Sequence, residues 1–159
     1  MSDPDFELSQ FLPYQLAVLA ERVSRRLSVE YGRAHGLNVA EWRVLVHLMR
    51  RRKVSVREIH ERVNLDKPRV SRAVTRLEAA GFVEKAAAVD DARLVAISLT
   101  AKGMRVLDDI LPAARDVEAS LLAGLSDGER VGLLTAMEKL HSVLDGDPEA
   151  RPRSKLDGH

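Results

Sequence analysis

Between Ser55 and Gly81 the chain carries two short amphipathic segments set about three residues apart, and few folds accept that arrangement. Ser55, with Glu58 three positions later, has the form of a capping box. It opens a helix expected from Val56 to Val63, with Val56, Ile59 and Val63 turned inward. Asn64 and Leu65 make a tight turn. Asp66 caps the next helix, and Pro68 sits in its first turn, where a missing N–H costs nothing. Val70, Ala73, Val74 and Leu77 recur at i, i+3, i+4 and i+7, the spacing of one helical face, and Gly81 is placed to end it. Two short helices joined in this way form a helix-turn-helix.

The flanking chain is helical on both sides. A helix is predicted from about Phe11 to Ala34, with Leu16, Ala20, Val23, Leu27 and Tyr31 as its stripe and Gly36 as its stop. Asn38 and Glu41 form a capping box for a helix from Val39 to about Arg51, with Trp42, Leu45, Val46 and Met49 on its buried side. After Gly81 the period changes: Phe82–Lys85 and Leu94–Leu99 read as strands of a hairpin, with Val89–Ala92 in its turn. Thr100 then caps a long helix from Ala101 to about Ala123, along which Met104, Leu107, Leu111, Ala114 and Val117 or Glu118 share a side and Pro112 should introduce a kink. Ser126 and Glu129 open a last helix, Asp127 to about Leu144, striped with Val131, Leu134, Met137, Leu140 and Leu144. The polar residues 146–159, with Pro148 and Pro152, are expected to lack order. The 159 residues suit one domain.

A formal net charge of +1 conceals how the charge is placed. Arg50 through Arg76 hold ten bases against three acids, whereas Asp108 through Glu129 hold six acids against one base. A basic helix-turn-helix and an acidic helical arm therefore cancel, and the basic segment is the footprint of a phosphate-backbone partner. With its apolar face inward, the second helix of the pair turns Lys67, Pro68, Arg69, Ser71, Arg72, Thr75 and Arg76 outward. Arginine pairs bidentately with guanine, and hydroxyls serve phosphates or bases, so this face suits double-stranded DNA. Ser55 and Arg57, at the start of the first helix, are candidate backbone contacts.

The run Leu65-Asp66-Lys67-Pro68-Arg69-Val70-Ser71-Arg72-Ala73-Val74-Thr75-Arg76-Leu77-Glu78-Ala79-Ala80-Gly81-Phe82-Val83, followed by Asp91-Ala92-Arg93 and Ile97-Ser98-Leu99-Thr100-Ala101-Lys102-Gly103, resembles the MarR family of winged-helix transcriptional regulators. The specific part is Val39 to Gly103, and the helix order agrees from about Phe11 to Leu144. The resemblance implies a mainly α (α+β) fold in a single domain, 1–159. Within it a winged helix-turn-helix lobe, 39–100, with a two-stranded wing is flanked by dimerisation helices, 9–36 and 101–145. It further implies a homodimer that binds a palindromic operator, most often as a repressor. Arg93 would be the wing arginine that enters the minor groove and Asp91 the acid that positions it. The wing's first strand, Lys85-Ala86-Ala87-Ala88-Val89, is poorer in polar and basic groups than the family's usual wing.

Many members of the family respond to small aromatic or phenolic anions, and position alone makes Tyr31, His35, Trp42, Arg43 and His47 candidates for such a pocket. Without cysteine, thiol-based redox sensing and Cys-ligated zinc are excluded. The five histidines show no ligand spacing, so no metal or other cofactor is expected. Neither a phosphate-cradling glycine loop nor a nucleophile elbow is present, and the chain is not expected to be an enzyme. Its acidic start and lack of a long apolar run imply a cytoplasmic protein with no membrane partner. The competing function is a winged-helix protein-interaction module that does not read DNA.

Overall fold

The computed structural model describes residues 3–51, 53–87 and 95–154. Its elements are α1 (Leu12–His35), α2 (Val39–Arg50), α3 (Val56–Arg62), α4 (Lys67–Ala79), β1 (Val83–Ala87), β2 (Val95–Leu99), α5 (Ala101–Ala123) and α6 (Asp127–Asp145), with a single 3-10 turn at Leu8–Gln10 before α1. The predicted fold class holds: six helices and one two-stranded antiparallel sheet, with Val83 opposite Leu99 and Ala87 opposite Val95. Val54 adds an isolated bridge to Ile97, exchanging bonds of 3.1 and 2.7 Å. One residue cannot display a period, so this pairing left no sequence signal.

Caps set the boundaries. The Asn38–Glu41 and Ser126–Glu129 boxes both close, and Ser55, Asp66 and Thr100 each accept a backbone N–H three residues on. The core gathers under α2, which packs on α1, α4, α5 and β2. The fully buried residues of α2, Ala40, Glu41, Val44, Leu45, His47 and Leu48, lie along one side of the helix, and half-buried residues flank them. Val44, Leu45 and Leu48 are its most buried apolar residues, while Trp42, Val46 and Met49 are half-buried at its edge. On α5 the covered line is Gly103, Val106, Leu107, Ile110 and Val117, displaced from the Met104–Leu111 line expected. The helix continues through Pro112 without a break.

One junction ties the lobe to α5. The Thr100 hydroxyl donates to the Gly81 carbonyl at 2.6 Å, the Thr100 N–H to the Phe82 carbonyl at 3.1 Å, and Lys102 Nζ to the Ala80 carbonyl at 3.0 Å. Gly103 lies so close to Phe82 that a Cβ there would stand 2.1 Å from its carbonyl oxygen. Only glycine lets α5 begin at this distance. Gly81 itself turns at φ 79°, a region that glycine enters without strain.

The two ends of the molecule are less covered. Phe11, Leu12, Tyr14, Leu16 and Leu19 of the α1 end are exposed, and α6 has no buried residue. Beyond Gly146, where composition suggested no order, the chain returns to the lobe. Arg153 forms a two-pronged pair with Glu138 at 2.9 and 2.7 Å, and the Ser154 hydroxyl donates to the Arg62 carbonyl of α3.

Candidate nucleic-acid interface

The turn between α3 and α4 is held from both sides. Asn64 occupies a left-handed conformation at φ 54°, which asparagine tolerates better than most residues. Arg43 of α2 donates to the Val63 and Asn64 carbonyls at 3.3 and 3.4 Å, and a ring nitrogen of His60 bonds the Leu65 carbonyl. Asp66 receives the Arg69 N–H at 2.8 Å, so the one carboxylate near the start of α4 is engaged in its cap.

Val70, Ala73, Val74 and Leu77 are at most 2% exposed, packed toward α2 and α3. Burying such valine and leucine side chains contributes about 1.5–3 kcal/mol each, which fixes the roll of the helix about its axis. That roll leaves Lys67, Pro68, Arg69, Ser71, Arg72, Thr75 and Arg76 exposed together. The Thr75 hydroxyl donates to the Ser71 carbonyl at 3.0 Å, so its oxygen faces outward mainly as an acceptor. Arg76 reaches back toward α2, where a guanidinium nitrogen lies 3.7 Å from Glu41 Oε1. Ser55 is engaged as the α3 cap, and Arg57 beside it is exposed, 3.5 Å from Glu61. Asp91 and Arg93 lie outside the described residues.

Of the five residues considered for a small-molecule site, the structure brings Tyr31 and Trp42 into contact. Tyr31 is buried and stacks on Trp42, with ring centroids 5.3 Å apart and planes 13° from parallel. Burial pushes the Tyr31 phenol up, opposed by the nearby Arg43 charge. Arg43 is committed to the Val63 and Asn64 carbonyls of the turn after α3. His47 is buried, and burial first, then Arg62 and Arg51, press its pKa below the ordinary histidine value, with Glu58 acting the other way. His35 lies 3.5 Å from Asp109 of α5. Among the described residues, Tyr31 OH and His47 Nε2 are buried without a hydrogen-bond partner. No metal-binding cluster occurs among the described residues, and none of their helices is long and apolar enough to cross a membrane.

The sequence missed the approach of Arg76 to Glu41. The cap pattern identified Glu41, but its second oxygen meets a residue 35 positions away, which no local spacing reports.

Comparison with known proteins places these features among relatives. A family model described as the MarR family matches residues 35–94. YkoM of Bacillus subtilis, an uncharacterised HTH-type transcriptional regulator, is 32% identical over 117 residues, 72% of this chain and 76% of YkoM. NicR of Pseudomonas putida, an HTH-type transcriptional repressor, is 30% identical over 93 residues, and that match covers 58% of this chain but only 57% of NicR. Among solved structures, a MarR/EmrR family transcriptional regulator from Acinetobacter sp. ADP1 superposes with a TM-score of 0.78 at 28% identity, covering 88% of this chain and 99% of that one.

Proposed function

The chain belongs to the MarR family and is a DNA-binding transcriptional regulator rather than an enzyme; from that premise we propose that it is a cytoplasmic repressor that grips a palindromic operator as a homodimer and releases it on binding a small aromatic or phenolic anion. The observation that carries this is the roll of α4. Four apolar residues are sealed inward, and seven residues, three of them arginines, are presented outward as a single surface. On this reading Arg69, Ser71 and Arg72 meet base edges in the major groove, Lys67 and Thr75 meet the flanking backbone, and Asp91 and Arg93 act in the wing. Ser55 and Arg57 approach a phosphate at the start of α3.

The dimer reading is supported by the uncovered apolar residues of α1 and α6, which a second copy would shelter. Repression is supported by NicR, whose name makes it a repressor. For the effector, the Tyr31–Trp42 stack offers an apolar aromatic wall, and the unpaired Tyr31 OH and His47 Nε2 offer polar groups that a phenolic acid could satisfy.

A binding-site selection with the purified protein tests the reading directly. It should yield two inverted half-sites about 10 bp apart centre to centre, or a small multiple of that. Charge reversal at Arg69, Arg72 and Arg76 should abolish the selected binding. Retention of full affinity, or indifference to salt, contradicts the role given to α4. A panel of aromatic acids added to the protein–operator complex tests the effector.

A further inference from the structure

Arg69, Arg72 and Arg76 share one side of α4, and with Asn38, Val39 and Ala40 at the start of α2 they line a cleft of about 230 Å³. Beside it stands one carboxylate, Glu41, whose side chain is 8% exposed against 65% for Arg76. The two carboxylate oxygens have different partners. Oε2 accepts the Asn38 N–H at 3.1 Å and completes the cap of α2. Oε1 faces the Arg76 guanidinium at 3.7 Å. Glutamine completes a capping box as well as glutamate does, so the cap does not require the charge. Keeping an ionised carboxylate from water is costly unless a cation answers it, and here that cation belongs to the exposed face of α4, at the end remote from its start.

We infer that Glu41 is a positioning residue for DNA discrimination: it holds Arg76 at the α2 side of the cleft, set for a backbone phosphate, and leaves base reading to Arg69 and Arg72. This rests on α4 being the helix that enters the groove. Arg76 lies seven residues beyond Arg69, roughly 10 Å further along the axis, and it is the first part of such a helix that reaches base edges. A tethered arginine fixes register. An untethered one, relieved of its neighbouring negative charge, attaches to any phosphate within reach, which adds affinity on random DNA and little on the operator, where the tethered arginine already meets its phosphate. Glu41 therefore restrains non-specific affinity while preserving the operator contact.

The test measures affinity for the selected operator and for a random duplex of equal length, at one salt concentration. Glu41→Gln keeps the cap and should lower the operator-to-random ratio about five- to tenfold, the scale of a coupled charge pair, chiefly by tightening random binding. Glu41→Asp keeps the charge but withdraws it by one methylene, and should lower the ratio in the same direction. In an Arg76→Gln background, Glu41→Gln should change the ratio no further. An unchanged ratio in Glu41→Gln, or an equal fall in both backgrounds, overturns the inference. If Arg72→Ala loses operator affinity in the same assay, that failure is confined to Glu41. If Arg72→Ala changes nothing, the reading of α4 fails with it.

Discussion

Helices α4 and α6 are written in the same code and used in opposite ways. Each carries apolar residues at helical spacing. The α4 stripe is at most 2% exposed, whereas Val131, Leu134, Met137, Leu140 and Leu144 of α6 are 41–68% exposed. Periodicity thus identifies a face and says nothing about what covers it. On α4 the lobe's own helices supply the cover, and the polar face left over is the one assigned to DNA. On α6 no element among the described residues does so, and the proposed cover is a second copy.

The largest expected effect sharpens the first half of this contrast. Leu77→Ala should cost about 2–5 kcal/mol of stability, read by denaturant unfolding, and the loss should be the same at every protein concentration because the cavity lies inside one chain. Leu134→Glu tests the other half. It should leave the fold of the lobe intact and raise the dimer dissociation constant about a hundredfold, roughly 2.7 kcal/mol, visible by analytical ultracentrifugation. A monomeric wild type would break the comparison at that point. Arg72→Ala touches neither apolar face and should cost about 1–3 kcal/mol in operator binding with unchanged melting temperature.

The smallest effect concerns pH. Burial and the Arg62 and Arg51 charges hold His47 below its ordinary value of 6.5, so below about that pH the unfolded chain binds a proton that the folded chain refuses. Stability should therefore be fully present above pH 6.5 and decline as pH falls from there toward the depressed folded value. His47→Leu should flatten that slope in melting curves taken between about pH 7 and 5. An unaltered slope would assign the dependence to other groups.

How much could be read beforehand follows from the same contrast. The outward residues of α4 were legible because a helix packed on one side announces that side. The α2 assignment was incomplete because Trp42, Val46 and Met49, apolar but only half-buried at the edge of the core, drew the predicted face away from the side that carries Val44 and Leu48. Caps were legible because Asn38, Ser55, Asp66, Thr100 and Ser126 act within three residues. The Val54–Ile97 bridge, the Arg43 bonds to the α3 end and the Glu41–Arg76 approach were not, because each joins positions brought together only by the finished fold. The family resemblance supplied the dimer and the wing roles of Asp91 and Arg93, which spacing alone could not.

The close seating of Gly103 against Phe82 makes α5 a lever with its fulcrum at the wing root. Its 23 residues extend about 34 Å. With that end clamped by Thr100, Lys102 and the missing Cβ, a rotation of the lobe by about 5° would sweep the far end near Ala123 through roughly 3 Å. Pro112 lies midway along the beam, where one backbone donor is absent.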